Sequence, residues 1–426
     1  VVGQMERPKR SRMFRLRLSH LSHSLILCPA LMRGSSKEQM HRCLTKETAA
    51  TVLMALACIA SMLRQADILL PYPALWYLKF AWILPLAFLV SFRAKDFLDR
   101  RLWVSYGFAA AFALYCTVMQ AITGTTYIGK DLYNILTSVA ILAISFVYWN
   151  NFGSERNLRL ILGSLLLITA ASAFKLLATV IPHIDYSTIS GAYYLKNSVS
   201  FVFLSVITLS WAAIHRQERN DRFWQYAAIA LISIVILCLR SRATYLGMAF
   251  VVIYAICALK NRNTQLYVIA GVSFTALTIL FTPALHEFFI DRLLLACRTL
   301  DNTNLFFSYR LSHISNELQT MNGMWIFGKG CVYLDCFPIA ITIQYGIVGA
   351  LIVFSFLAYV AYRISEIRPA KSAYLKQAAI LLFWSFMTVS IFEAHVPFGT
   401  GVKCFALWMT LGMLSAQTAY NPKKHK

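Results

Sequence analysis

The sequence predicts an all-α protein, a polytopic bundle of about twelve transmembrane helices with one longer loop between the ninth and tenth spans. Three observations carry that prediction. Of 426 residues, 58% are hydrophobic and only 14% are charged, whereas a soluble domain carries roughly 25% charged residues. Apolar runs recur at the length of about 20 residues that a hydrocarbon core of about 30 Å demands. Lys and Arg gather in short stretches between those runs, as they do in cytoplasmic loops. Spans of this length satisfy their backbone polar groups as helices; the short alternating segments of a membrane β-barrel are absent.

Taken in order, residues 1–46 form a basic, acid-poor segment, with Arg7, Lys9, Arg10, Arg12, Arg15 and Arg17 close together. The apolar stretch His23–Met32 is too short to span; it reads either as a membrane-surface segment or, equally well, as sequence upstream of a start at Met5, Met13, Met32 or Met40, and no cleavable signal peptide is expected. The membrane domain covers 47–420. Its expected spans are 48–66, 76–92, 103–122, 132–149, 158–181, 196–214, 223–239, 243–259, 265–284, 338–361, 377–393 and 400–419. With the N-terminus in the cytoplasm, every later inside segment is basic. Examples are Arg93 to Arg101, Arg216 to Arg222, Arg363 to Lys376, and the tail 421–426 with Lys423, Lys424 and Lys426. Both chain ends are therefore expected on the cytoplasmic side. The long loop, about 286–337, falls outside; it includes a helical-looking stretch at Arg310–Thr320 and no sign of a separate soluble domain.

The formal charge of +22 reads as this topology signal, not as a nucleic-acid footprint, because no RNA-binding motif or zinc-finger spacing accompanies it. The ten cysteines include no C-x-x-C pair and no His/Cys ligand cluster. Most lie inside apolar runs, where a thiol is by default a small buried hydrophobe. Cys297, Cys331 and Cys336 fall in the outside loop, where a disulfide would leave one thiol over.

The informative residues are those the topology should not have. Arg240 and Arg242 sit in L-C-L-R-S-R-A-T-Y-L, a short turn on the outside, where positive charge opposes the orientation bias. They read as an anion clamp, because a guanidinium presents a planar fork of donors to phosphate. Snorkelling at the interface is the alternative, and the pairing of two arginines favours the clamp. Arg298 and Arg310 either join that clamp or pair with Asp301 or Glu317 on the surface. Asp335 precedes the tenth span, as a general base or as a helix cap, with the cap slightly ahead. Gly346 and Gly349 share a face of that span and read as close helix packing. Glu393 and His395, in F-E-A-H-V-P-F-G, are ionisable groups at the outer end of the eleventh span and join the list of catalytic candidates. Lys175 and Lys196 are weaker candidates, since Lys reaches the interface.

The run S-R-A-T-Y-L-G at 241–247, the R-L-S…W-I-F-G-K-G stretch at 310–330, and Asp335 followed by Gly346-x-x-Gly349 resemble the O-antigen ligase and polymerase superfamily. The motifs cover roughly 190–360, and the rest of the chain matches by topology. The resemblance implies glycan transfer at the periplasmic face of the bacterial inner membrane from a saccharide on undecaprenyl pyrophosphate. It implies a metal-independent, inverting-type reaction with no cofactor. Arg242 and Leu246 match the ligase pattern of Arg, three residues, Leu. Ligases also carry His and a small polar residue nine residues before G-x-x-G; Asp335 and Cys336 stand there instead, and polymerases of the superfamily often have an Asp near that point.

The chemistry suits such a reaction. A pyrophosphate leaving group gathers negative charge as the sugar bond breaks, and fixed Arg donors stabilise that charge most in the transition state. Arg240 and Arg242 are assigned to the pyrophosphate, Asp335 to the base, with Glu393 and His395 behind it. The expected function is a surface-polysaccharide polymerase. The runner-up is a ligase that transfers polymer to lipid A-core, and the more distant alternative is a transporter or lipid-linked oligosaccharide flippase, which twelve spans also suit. The expected partners are the lipid-linked saccharide, a glycan or lipid A-core acceptor and membrane lipid. Ionisable residues gathered at one face, and a single long loop, favour the enzyme over the transporter.

Overall fold

The computed structural model describes residues 37–65, 73–180, 196–214, 219–259, 261–294, 309–367, 373–394, 396–399 and 404–417. Most of the basic N-terminal segment, the tail 421–426, Cys297, Arg298, Asp301 and His395 lie outside the described residues. The chain divides into two units, Val1–Ala49 and Ala50–Lys426. In the first, 37–49 are helical and begin α1 (Lys37–Gln65). Everything below concerns the second.

The described residues are helical or in turns, with no strand among them. After α1, a 3-10 stretch Pro73–Phe80 leads into α2 (Ile83–Arg93). Then come α3 (Trp103–Thr123), α4 (Lys130–Phe152), α5 (Glu155–Val180), α6 (Lys196–Ile214), α7 (Arg219–Cys238), α8 (Arg242–Cys257) and α9 (Arg262–Phe281). The long connection contains a π-helical stretch Glu287–Leu294 and α10 (Arg310–Gln319). The chain then forms α11 (Phe337–Glu366), α12 (Ala373–Ser390) and α13 (Phe405–Ala416). Among the described residues, six helical stretches are long and apolar enough to cross a membrane: Tyr77–Leu98, Arg100–Thr123, Lys130–Phe152, Glu155–Ala178, Arg262–Phe281 and Phe337–Glu366. Four shorter apolar helices lie at Asn197–Ala213, Phe223–Cys238, Arg242–Cys257 and Phe405–Ala416.

The centre of the bundle is α4 against α13. Gly412 permits this approach: a Cβ there would strike the backbone oxygen of Leu142 and come within 3.0 Å of the amide of Phe146. Around this pair, α3 packs on α11, α6 on α7 and α12, and α8 on α12. An aromatic stack ties three of these elements together. Phe108 of α3 lies on Phe356 of α11 at 3.9 Å between ring centroids, and Phe356 on Trp408 of α13 at 6.0 Å. Such pairs each add about 0.5–1.5 kcal/mol beyond simple burial.

The helix α11 is broken at Gly346, whose φ of 62° and ψ of −174° are open to glycine alone. The packing role expected of Gly346 is therefore replaced by a backbone role, while Gly349 does pack, against Tyr115. At a break the amides and carbonyls of one turn lose their helical partners. Here the loop between α10 and α11 supplies them. Ile343 O and Gln344 O accept from the amides of Lys329 (3.1 Å) and Gly330 (3.0 Å), and Tyr345 O accepts from the Tyr115 hydroxyl (2.6 Å). Ile347 N and Val348 N donate to Trp325 O (2.8 Å) and Ile326 O (3.1 Å). Gly328 lies so close to the break that a Cβ on it would meet Gln344 O and the amide of Gly346.

Candidate functional site

The filled break fixes the strand-like stretch that leads out of it to α11, and with it the mouth of that helix. In Tyr333-Leu334-Asp335 the two polar side chains meet across the intervening leucine. The Tyr333 hydroxyl donates to Asp335 Oδ1 at 2.7 Å. Asp335 Oδ2 accepts from Arg310 Nε at 3.1 Å, and Arg310 Nη2 stands 4.0 Å from Glu393 Oε1. Arg310 opens α10 directly after Tyr309, which is held in the left-handed region at φ 60°. Glu393 lies just beyond the end of α12 and is only 8% exposed. Burial, then the hydrogen bond to Asp335 and the nearby Asp335 and Glu393 carboxylates, push the Tyr333 phenol up, against the opposing pull of Arg310; it is a hydrogen-bond donor at neutral pH.

These contacts decide several expectations. Asp335 does not cap α11: the cap position is Cys336, which makes no side-chain cap bond. Arg310 pairs with Asp335 and Glu393 instead of Glu317, which takes Lys329 as its partner. Cys331 and Cys336 are free thiols, so the loop carries no disulfide between them. Tyr333 was not among the sequence candidates; its spacing of two from Asp335 was the signal.

A second group forms the turn between α7 and α8. Arg240 adopts φ 53°, a left-handed conformation that costs a non-glycine residue about 1–3 kcal/mol. Its side chain is buried in protein, 7% exposed, and does not snorkel to water. Ser241 is fully buried; its hydroxyl bonds Asn197 Oδ1 at 3.1 Å and the Thr244 hydroxyl at 2.9 Å, which ties the turn to the start of α6. Arg242 is half-buried at the first position of α8. Five residues on, Gly247 lies against Val389 and Ser385 of α12. The start of α8 and the Glu393 end of α12 are therefore at the same end of the bundle.

The structure thus brings Arg310, Asp335 and Glu393 together and holds Arg240 and Arg242 in a separate turn at that same end. Arg298 and His395 lie outside the described residues, and Lys175 is exposed on α5. Among the described residues no three His, Cys, Asp or Glu side chains are grouped to hold a metal ion. The arrangement offers guanidinium donors in one turn and, at the same end of the bundle, a carboxylate whose Oδ1 is held by Tyr333. No family model, no curated protein and no solved structure matches the chain.

Proposed function

We propose that the chain is a bacterial surface-polysaccharide polymerase of the O-antigen or capsule type. In this reading it sits in the inner membrane with twelve spans and both ends in the cytoplasm. It moves a glycan from an undecaprenyl-pyrophosphate donor to a sugar hydroxyl of the acceptor at the periplasmic face. The observation that carries the reading is the Arg310–Asp335–Tyr333–Glu393 cluster at the same end of the bundle as the Arg240–Arg242 turn. The motif resemblance of 241–247 and 310–349 supports it, and so do the helices found over the apolar runs.

In the step, the acceptor hydroxyl oxygen attacks the anomeric carbon from the face opposite the pyrophosphate. The bond from that carbon to the pyrophosphate oxygen breaks, and the leaving group keeps the electron pair. Arg240 and Arg242 hold the pyrophosphate and stabilise the charge it gains. The acceptor hydroxyl takes the place of the Tyr333 hydroxyl at Asp335 Oδ1 and gives its proton to that oxygen. Arg310 keeps the carboxylate aimed through Oδ2, with Glu393 balancing the guanidinium.

The broken helix also invites a transporter reading, since transporters expose unwound backbone to their ions. Here the freed groups at 343–348 bond the protein's own loop and Tyr115, which argues against it. A deletion strain tests the reaction. Loss of a polymerase leaves lipopolysaccharide capped by a single repeat unit. Bare lipid A-core with long polymer on the carrier identifies a ligase instead, and unpolymerised units held on the cytoplasmic leaflet identify a flippase. Reporter fusions test the topology: cytoplasmic near 155, 220 and 370, and periplasmic near 315.

A further inference from the structure

The segment that fills the break in α11 carries Met324, Trp325, Ile326 and Phe327, four consecutive apolar side chains exposed by 44–55%. In an aqueous loop this run has no evident purpose. Its backbone is built for another setting. The five carbonyls from 324 to 328 all accept a hydrogen bond from protein: Met324 O from Gly328 N, Trp325 O from Ile347 N, Ile326 O from Val348 N, Phe327 O from the Tyr115 and Tyr127 hydroxyls, and Gly328 O from the Tyr127 hydroxyl. Carbonyls of non-helical backbone at membrane depth need partners of this kind.

Two rulers give the depth. Gly346 stands seventeen residues from Arg363 along α11, about 25 Å of helix, inside a hydrocarbon core of about 30 Å that begins near that arginine. Tyr115, which holds Phe327 O, stands eight residues before the end of α3, about 12 Å in from that end. Both place Trp325–Phe327 below the mouth of the bundle and alongside bilayer chains.

We infer that Met324–Phe327 is a re-entrant wedge whose side chains contact the acyl chains of the leaflet at the Asp335 end of α11. This rests on α11 crossing a bilayer and not on the reaction proposed above. The occupant is bilayer lipid, because no charged residue falls between Met321 and Phe327 and the four exposed side chains from 324 to 327 are all apolar.

The test uses the full chain in phospholipid vesicles. The fluorescence that Trp325→Phe removes is the Trp325 signal. Lipids brominated on the acyl chain are expected to quench that signal while aqueous iodide leaves it unchanged. Quenching by iodide without quenching by bromolipid overturns the inference. A photoreactive benzoylphenylalanine at Ile326 gives an independent measurement. Irradiation is expected to attach a phospholipid to the peptide containing 326, and a cross-link that never includes lipid overturns the inference. Neither readout depends on glycan transfer, so failure of the polymerase reading leaves the result intact.

Discussion

The two arginine regions are braced by different groups. Arg310 is balanced by acid: Asp335 at 3.1 Å and Glu393 at 4.0 Å surround one guanidinium with two carboxylates, and Tyr333 adds a neutral donor. Arg240 and Arg242 flank a serine braced by neutral groups, Asn197 and Thr244, in a turn whose backbone is forced into the left-handed region. The first arrangement holds a carboxylate in a fixed direction, which suits handling a proton. The second brings two positive charges to one helix start, which suits an anion. The lesson is that arginine beside an apolar helix has no single meaning: the groups that brace it decide whether it serves a ligand or another side chain.

The sharpest way to break this distinction is Arg242→Ala. It is expected to abolish polymer formation at normal protein level, and Arg242→Lys is expected to retain little activity because an ammonium lacks the bidentate fork. Wild-type chain length with normal protein in the membrane would remove the turn from the site. Next in size is Asp335→Asn, expected to cut turnover severely while thermal stability stays close to that of the parent, since Asp335 caps no helix. Full activity would leave the carboxylate as a brace for Arg310 alone and move the base to Glu393.

Gly346→Ala is expected to act on one region and spare the other. The left-handed backbone costs about 1–3 kcal/mol for a residue with a side chain, and the new methyl meets Ile326 O and the Gly328 amide. The melting temperature should fall and kcat with it, while the KM for lipid-linked donor, set by the turn, holds. A donor KM that rises as steeply as kcat falls would mean that the two regions are one. Tyr333→Phe should have the smallest effect. If the acceptor displaces the phenol from Oδ1, kcat is nearly kept and the KM for acceptor changes modestly; loss as deep as that of Asp335→Asn would make Tyr333 a participant in the reaction.

The helices were legible because apolar runs of this length and composition satisfy their backbone as helices. The pair at 240 and 242 stood out in the sequence as charge between two apolar runs. The break at 346 was not, since Gly-x-x-Gly reads equally as close packing, and only the return of residues 325–330 to the same spot separates the two. The partner of Arg310 was hidden by distance along the chain: Asp335 is 25 residues away and Glu393 much farther, while Glu317 on the same helix looked nearer. Tyr333 was in plain view two residues from Asp335, and in an aromatic-rich chain that spacing was its one signal.

The order in which the chain is made gives the filled break a further meaning. Tyr115 leaves the ribosome first, then Trp325 to Gly330, and only then Ile343 to Val348. Each group that will bond to the gap in α11 is thus synthesised before the gap itself. A broken span released alone into the bilayer would hold bare amides and carbonyls in oil. In a bilayer this one would emerge with its loop complement 14 to 22 residues ahead on the same polypeptide, and its insertion and its repair would be a single event.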